Sequence, residues 1–289
     1  MLSFSHFSSR YELRSVLSCD KLYKIQSKKA SLFPMIKKWY LTIPELTGDQ
    51  KRRAYVYVPD DFKKNPDRRY PVLYMFDGHN VFYDRDATYG KSWGMKEYLR
   101  KTKTPLIVAA VECNHSPDHG RLSEYSPFTY NDPDFGHIRG RGRTTMDWFV
   151  HTFKPFIDQN FPTIPDREHT FIGGSSMGGL MSLYAVLSYN RVFSRAAALS
   201  PSVWYAPKQF NRMLTRARVA KDTVIYMDYG SRELANHSQM LGHFSQVASD
   251  LLNKGVLLDC RIVPDGDHCE ASWERQIPFF MNTLLYGVE

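Results

Sequence analysis

The sequence predicts an α/β fold in which helices cover both faces of a mostly parallel central sheet. Two observations indicate this class. From Tyr70 to the C-terminus, segments typical of β-strands alternate with segments typical of helices, an order characteristic of parallel sheets. Several strand segments are also almost continuously apolar, as in 70–76, which is typical of strands buried on both faces.

The individual elements can be assigned in order along the chain. Runs rich in β-branched and aromatic residues, bounded by Gly, Pro and Asp, predict strands, and apolar residues at helical spacing predict helices. Strands are expected at 39–43, 53–58, 70–76, 105–111, 168–173, 194–199, 223–228 and 256–263. Helices are expected at 93–101, 144–161, 180–188, 209–218, 234–252 and 272–285. The polar segment 112–143 predicts a long loop, and such loops in compact domains are usually functional or mobile.

The length of 289 residues is ample for one large buried core. Residues 1–34 are rich in Ser and Lys and show no clear periodicity. We therefore expect a flexible N-terminal extension at 1–34 and a single domain over 35–289.

The net charge of +8 raises the question of a nucleic-acid or anionic membrane partner. Residues 1–34 contain six basic and two acidic residues, so half of the excess lies in this segment. The rest is scattered in short clusters such as 51–53. This distribution predicts an ordinary solvated surface, with neither a nucleic-acid nor a membrane partner.

Cysteine usage and hydropathy bear on the compartment. Apolar runs stay short of the roughly 18 residues that a membrane span needs. The four cysteines are scattered without C-x-x-C spacing, a usage that fits a reducing compartment: Cys19, Cys113, Cys260 and Cys269. The expected location is cytoplasmic.

The motif with the clearest chemistry is Gly-x-Ser-x-Gly at Gly174, Ser176 and Gly178, between a predicted strand and a predicted helix. A serine held on a sharp turn needs neighbours without Cβ atoms, because the backbone must double back to expose the hydroxyl. The first N–H groups of the following helix point at the place where negative charge would develop. The context therefore predicts Ser176 as a nucleophile.

A serine hydroxyl needs a base, and the base needs an orienting acid. Functional groups of an open parallel sheet gather at the carboxyl ends of its strands. His268, just after the last strand, is the expected base. Asp228, the last residue of the strand 223–228, and Glu233, on the loop after it, are alternative acids, with Glu233 favoured because its loop can reach back. The chain order serine, acid, histidine is that of α/β-hydrolases.

An oxyanion formed at Ser176 needs hydrogen-bond donors. The N–H of Met177, directly after the serine, is one expected donor. The N–H of His79, in the loop that follows the strand 70–76, is the second. Asp77 is expected to shape that loop.

Together these stretches resemble the putative-esterase family of the α/β-hydrolase superfamily. That family includes feruloyl and acetyl-xylan esterases, siderophore esterases, S-formylglutathione hydrolases and antigen 85-type mycolyltransferases. The matching stretches are 73–78, 121–125, 173–179, 230–234 and His268 with Trp273. The similarity covers about residue 37 to the C-terminus. It implies the α/β-hydrolase fold, an acid a few residues past the glycine after its strand (hence Glu233), and an oxyanion donor from the Asp77-Gly78 loop.

The resemblance also bears on the surroundings of the site. It implies that Arg121 and Glu124 brace the long loop beside the pocket, and Asp77 and Arg121 are also possible residues of the substrate pocket. Four aromatic residues either form an apolar or sugar-stacking wall of the pocket or belong to the core: Tyr125, Trp204, Tyr205 and Trp273. The long loop also holds possible metal ligands whose spacing fits no zinc pattern: His115, Asp118, His119, Asp134 and His137. We therefore expect no metal ion.

The predicted function is that of a serine esterase that forms an acyl-enzyme and acts on a small-molecule or saccharide ester. The mechanism requires no cofactor. Two alternatives remain open: acyl transfer to an acceptor other than water, and a non-catalytic binding protein on the same scaffold. The acyl group, the alcohol and the oligomeric state do not follow from the sequence.

Overall fold

The computed structural model describes residues 36–133, 135–233 and 239–288, apart from the side chain of Lys63. The described residues belong to one compact unit, Met35–Glu289. The predicted N-terminal extension at 1–34 and the predicted start of a helix at 234 lie outside the described residues.

A central sheet of eight strands organises this unit. Its spatial order is β1-β2-β4-β3-β7-β8-β9-β10. The strands are Ile36–Thr42 (β1), Lys51–Tyr57 (β2), Val72–Met75 (β3), Ile107–Val111 (β4), Thr170–Ser175 (β7), Arg195–Leu199 (β8), Val224–Gly230 (β9) and Leu257–Val263 (β10). The pairs β1–β2 and β2–β4 are antiparallel, whereas every pair from β4 to β10 is parallel. The predicted mostly parallel sheet is confirmed.

Helices cover both faces of this sheet. The α-helices are Pro44–Thr47, Met95–Thr102, Gly120–Glu124, Gly142–Trp148, Lys154–Asn160, Met177–Ser188, Pro207–Arg216, Met240–Asn253 and Glu270–Leu285. Alternate residues of β3 enter two separate cores: Tyr74 packs with the helix Met177–Ser188, and Leu73 packs with the helix Glu270–Leu285. This two-sided burial explains why the strand is continuously apolar.

The segment 112–143 contains more structure than the predicted loop. The short helix Gly120–Glu124 and a hairpin of Tyr130–Asp132 (β5) and Gly136–Ile138 (β6) lie within it. The predicted helix 144–161 has three parts, with a π-helical turn at Phe149–Phe153 between two α-helices. Pro155 follows that turn and lacks the N–H that would continue a regular ladder.

The parallel strands end at one edge of the sheet, and that edge carries the candidate chemistry. β7 runs two residues past its predicted end, to Ser175, and β9 runs two residues past Asp228, to Gly230. In the part of the chain that the structure describes, no helix is both long and apolar enough to cross a membrane.

Candidate active site

Ser176 occupies a strained turn between β7 and the helix Met177–Ser188. Its backbone has φ 60° and ψ −124°, a conformation that residues with side chains rarely adopt. The surrounding backbone holds it there. The N–H of Ser176 donates to the carbonyl of Leu199 at 2.9 Å, and its carbonyl accepts from the N–H groups of Leu180 at 3.0 Å and Ser202 at 3.1 Å.

The turn around Ser176 is tight enough to require glycine at position 174. A Cβ atom on Gly174 would lie 2.9 Å from the carbonyl carbon of Gly178 and 3.0 Å from its oxygen. Both are backbone atoms, which cannot rotate away as a flexible side chain could. The sequence motif therefore reflects a close approach of two chain segments.

His268 and Glu233 form a hydrogen-bonded pair. Nδ1 of His268 lies 2.6 Å from Oε2 of Glu233. The Glu233 side chain is buried, at 4% exposure, whereas the His268 side chain is 40% exposed. The edge of the His268 ring packs against Trp273, with 5.1 Å between ring centroids. This leaves an imidazole that is fixed at one nitrogen and open to solvent.

The second carboxylate oxygen of Glu233 is also held. Oε1 accepts from the hydroxyl of Ser200 at 2.7 Å and from the N–H of Gly230 at 2.9 Å. The indole N–H of Trp273 donates to the same Ser200 hydroxyl at 3.0 Å. Because these two donors occupy Oε1, the carboxylate is held in one orientation, in which Oε2 binds His268. Sequence reasoning missed Ser200; its position directly after β8 was the available signal.

The loops that carry Glu233 and His268 contact each other through their backbones. A Cβ atom on Gly230 would lie 2.2 Å from the carbonyl oxygen of Gly266. The N–H of Arg232 donates to that oxygen at 3.1 Å, and the N–H of Ser231 donates to Val263 at 2.9 Å. Parallel pairing of β9 and β10 brings these loops together, because both strands end at the same edge.

Asp228, the alternative acid, has other partners. Its carboxylate accepts from the N–H of Ser200 at 3.1 Å and from the hydroxyl of Tyr226 at 2.8 Å. Burial outweighs these hydrogen bonds and, with the negative charge of Glu233, raises the pKa of Asp228 to about 7. The geometry thus pairs Glu233, rather than Asp228, with His268.

Residues 199–202, at the end of β8 and in the turn after it, connect Ser176 to the pair of Glu233 and His268. Leu199 and Ser202 bind the backbone of Ser176 on one side of this turn. Ser200 binds Glu233 on the other side. Four strand ends, those of β7, β8, β9 and β10, therefore converge on one cluster of hydrogen bonds.

The expected oxyanion donors lie on two turns. His79 belongs to the 3₁₀ turn Gly78–Asn80, and Met177 is the first residue of its helix. N–H groups in a first turn have no acceptor within their own helix and are free for a ligand. Asp77 caps the first of these turns in the left-handed conformation, with φ 53°.

Arg121 and Tyr125 hold Asp77 in place. Nε and Nη2 of Arg121 each donate to a different oxygen of Asp77 at 2.8 Å. The hydroxyl of Tyr125 accepts from the Asp77 N–H at 3.1 Å. Burial alone would raise the pKa of Asp77, but the charge and hydrogen bonds of Arg121 outweigh it and keep the pKa below its usual value. Arg121 and Tyr125 therefore position the turn.

The aromatic residues considered for a pocket wall differ in exposure. Tyr125 and Tyr205 are each 1% exposed, so their rings belong to the core and not to a pocket wall. Trp273 is buried beneath His268, and Trp204 is half-buried. Glu124 forms a buried ion pair with Arg52 at 2.7 Å. A cavity of about 360 Å³ lies beside the segment 114–124, and its lining contains none of Ser176, Glu233 and His268.

Two of the possible ligands in the long loop have other partners. His137 bonds Asn131 at 2.7 Å, and the ring of His119 meets that of Phe135 edge-on at 5.2 Å between centroids. Asp134 lies outside the described residues. Within the described ranges, His115 instead lies close to two residues from other turns, His79 and Cys113, and these three could hold a metal ion.

The sheet order, the strained turn at Ser176 and the hydrogen-bonded pair of His268 and Glu233 fit the α/β-hydrolase fold. Residues 46–281 match the model of the family described as "Putative esterase", and the chain belongs to that family. Membership makes it a carboxylic ester hydrolase.

The similar proteins extend over most of the chain. The "Uncharacterized protein YbbA" of Bacillus subtilis (strain 168) is 26% identical over 253 residues, which cover 82% of this chain and 93% of YbbA. Among solved structures, siderophore hydrolase EstA from Aspergillus nidulans superposes with a TM-score of 0.66 at 19% identity, over 89% of this chain and 97% of EstA. A ferulic acid esterase superposes with a TM-score of 0.61 at 16% identity, over 86% of this chain and 96% of that one.

Proposed function

We propose that this esterase is a serine hydrolase with Ser176 as nucleophile, His268 as general base and Glu233 as orienting acid. The backbone N–H groups of His79 and Met177 serve as the oxyanion hole. The observation that carries the proposal is the strained backbone of Ser176, with φ 60° at the start of a helix. Strain of this kind persists only where the surrounding structure maintains it, and it is typical of catalytic positions.

The first half-reaction makes an acyl-enzyme. Oγ of Ser176 attacks the ester carbonyl while Nε2 of His268 takes the hydroxyl proton. Glu233 accepts the Nδ1–H of His268, which fixes the tautomer and stabilises the imidazolium. The oxyanion accepts hydrogen bonds from His79 and Met177, each worth roughly 3 kcal/mol in the transition state. Collapse breaks the ester C–O bond, and the departing alkoxide takes the proton from His268.

The second half-reaction releases the acid. His268 takes a proton from water, whose oxygen attacks the acyl carbonyl. The tetrahedral intermediate collapses, Ser176 recovers its proton from His268, and a carboxylic acid leaves. The exposed position of His268, at 40%, supports access for water and for the leaving alcohol.

The proposed substrate is a small-molecule ester. The structural similarity to a siderophore hydrolase and a ferulic acid esterase supports two ester types as first candidates, siderophore lactones and feruloyl esters. A library of acetyl, butyryl, feruloyl and catecholate-lactone esters, compared by kcat/KM, would identify the acyl group. Analysis of the products with added alcohols would separate hydrolysis from acyl transfer. The cytoplasmic location stays a prediction that cell fractionation can test.

The decisive experiment is labelling by a fluorophosphonate, read by mass spectrometry of the modified peptide. The wild-type protein should be labelled at Ser176 and should hydrolyse p-nitrophenyl acetate. Ser176→Ala should show neither label nor turnover, while circular dichroism shows the fold intact. Ser188→Ala is the matched control, since Ser188 is an exposed serine at the far end of the same helix.

Two outcomes would contradict the proposal. One is labelling of the wild-type protein at a serine other than Ser176. The other is full turnover of p-nitrophenyl acetate by Ser176→Ala. The control Ser188→Ala should keep both label and turnover, which shows that loss in Ser176→Ala is not a general effect of removing a hydroxyl from this helix.

A further inference from the structure

Two turns at the carboxyl edge of the sheet bring two imidazoles and a thiol together. β3 and β4 are parallel neighbours, with Met75 paired to Ala110. The chain beyond each strand therefore leaves the sheet side by side, which places His79 beside Cys113 and His115. One possible ligand atom from each of the three residues lies within 4.8 Å of the other two.

The His79 side chain has an unused nitrogen directed into the protein. The residue is 3% exposed. Its Nε2 bonds the hydroxyl of Thr88 at 3.0 Å. Its Nδ1 is buried and has no hydrogen-bond partner. A buried nitrogen without a partner is unfavourable, and such groups in native proteins often mark a redox, catalytic or ion-binding role.

The other two ligands complement His79. The thiol of Cys113 is buried, at 2% exposure, beside the carboxylate of Asp77. His115 is exposed, and its ring meets that of His79 edge-on at 4.7 Å between centroids. The site is therefore open to solvent on the side of His115. An ion can enter from that side, and the His115 ring has room to move there.

We propose that Nδ1 of His79, Sγ of Cys113 and a ring nitrogen of His115 form a binding site for a divalent cation of the zinc type. Imidazole and thiolate are the ligands that Zn²⁺ prefers, and three protein ligands leave a fourth tetrahedral position for water. At Zn–N and Zn–S distances of about 2.1 and 2.3 Å, ligand atoms sit roughly 3.5 Å apart. Ligand atoms that lie up to 4.8 Å apart must therefore close by about 1 Å, through movement of the exposed His115 and of the His79 ring. Binding forms a Zn–S bond and releases the Cys113 thiol proton to solvent.

This site could not be predicted from the sequence, because its ligands follow the ends of different strands. Cys113 and His115 alone are too few ligands, and His79 lies far earlier in the chain. The loop residues that the sequence offered instead, such as His119 and His137, have other contacts.

The site would be coupled to catalysis through His79, a consequence that rests on the proposed function. The backbone N–H of His79 is a proposed oxyanion donor, and its ring would be a metal ligand. Drawing the ring toward Cys113 removes it from Thr88 and shifts the turn Gly78–Asn80. A displacement near 1 Å at a catalytic group can lower turnover about 100-fold. Zn²⁺ should therefore inhibit by lowering kcat.

Binding is tested with Co²⁺ on the full-length protein, independently of activity. Wild type should bind one equivalent with the near-ultraviolet absorption of a cobalt–thiolate bond. Cys113→Ser should lose that band, and His115→Ala should bind at least about tenfold more weakly. Cys260→Ser and Cys269→Ser remove the other described cysteines and should keep the band unchanged.

Inhibition is tested with Zn²⁺ on wild type and on His115→Ala. The activity of each protein is compared with its own activity without zinc, and His115→Ala should lose the zinc inhibition that wild type shows. A cobalt–thiolate band that survives in Cys113→Ser, or no band in wild type, would overturn the site. Equal zinc inhibition in both proteins would overturn the coupling. Failure of Ser176 labelling would instead overturn the proposed function, since the cobalt band does not depend on turnover.

Discussion

Glu233 Oε2 lies 2.6 Å from Nδ1 of His268, although 35 positions separate the two residues in the chain. The contact results from the ends of two parallel strands. β9 ends at Gly230 and β10 ends at Val263, and these two residues are register partners. Each strand is followed by a short turn, and the turns meet at Gly230 and Gly266. Glu233 and His268 are thus placed by strand register and need no long flexible loop.

Exchange of the acid is the sharpest kinetic test of this arrangement. Glu233→Gln keeps the shape of the side chain and removes the charge that stabilises an imidazolium at His268. We expect kcat to fall about 100- to 10,000-fold, as for the comparable change in other triads. Asp228→Asn should lower kcat less than about tenfold, because Asp228 bonds Ser200 and Tyr226 and makes no bond to His268. Steady-state kinetics on p-nitrophenyl butyrate measures both variants.

Comparison of the loss of kcat in the two variants identifies which residue is the acid. A larger loss in Asp228→Asn than in Glu233→Gln would move the acid to Asp228. Thermal unfolding of both proteins serves as the control, because Asp228 is 1% exposed and its replacement can disturb packing.

Asp228 should also make stability depend on pH. Its pKa is about 7 in the folded protein, against an ordinary value of 3.8. Between about pH 4 and pH 7 the folded state therefore binds a proton that the unfolded state has released, and stability falls as pH rises through this window. The loss is on the order of 4 kcal/mol, at about 1.4 kcal/mol per unit of pKa difference.

An asparagine at position 228 has no titratable proton, so the variant Asp228→Asn should lose this dependence of stability on pH. Urea denaturation of wild type and Asp228→Asn should give similar free energies of unfolding near pH 4.5. At pH 8 the variant should be the more stable protein. A constant difference between the two proteins across this range would show that Asp228 keeps an ordinary pKa.

Arg121 should affect turnover although it is not proposed to touch substrate. Its two hydrogen bonds to Asp77 fix the turn that presents the N–H of His79. Arg121→Lys keeps the charge but cannot make both bonds in one plane. We expect kcat to fall roughly 10- to 100-fold with KM nearly unchanged, because a transition-state donor is misplaced.

The matched control is the same exchange at an exposed site. The Arg143 side chain is 82% exposed and its ion pair with Asp147 is long, at 3.8 Å. Arg143→Lys should leave kcat and KM unchanged. If Arg121→Lys behaved like this control, the clamp on Asp77 would have no part in positioning His79.

Those parts of the site that depend on a local residue pattern could be predicted from the sequence. The serine turn follows from glycine spacing between a strand and a helix, and His268 follows from its place after the last strand. Sheet class was equally accessible, because two-sided burial makes β3 and β4 continuously apolar. The expected parallel order, the position of Ser176 in its turn and the pairing of His268 with Glu233 all appear in the structure.

Features that depend on tertiary contact were not accessible. Ser200 takes its place beside Glu233 only because β8 lies between β7 and β9. Tyr125 is an aromatic residue of the kind that often lines pockets. In the structure its hydroxyl accepts from the Asp77 N–H, and its ring packs on that of Phe76 at 5.0 Å between centroids. Asp228 and Glu233 both carry a carboxylate, and both lie near the end of β9. The two residues differ in their hydrogen-bond partners, and a local sequence pattern does not predict these partners.

The serine turn should tolerate no side chain at Gly174, which gives a stability prediction with an internal control. The Cβ of Gly174→Ala would lie 2.9 and 3.0 Å from backbone atoms of Gly178, so the strand and the helix must move apart. We expect a loss of roughly 1–3 kcal/mol in the free energy of unfolding, together with loss of turnover. Gly242→Ala is the same substitution in the exposed part of the helix Met240–Asn253, with no atom within 4 Å of the new Cβ.

The two alanine variants should shift stability in opposite directions. Alanine favours helical backbone over glycine by up to about 1 kcal/mol, so Gly242→Ala should be neutral to stabilising and fully active. Urea denaturation monitored by circular dichroism gives both values on one scale. A Gly174→Ala protein as stable and active as Gly242→Ala would mean that the chain segments around Ser176 are looser than the 2.9 Å approach indicates, and that strain at the serine is not needed for its chemistry.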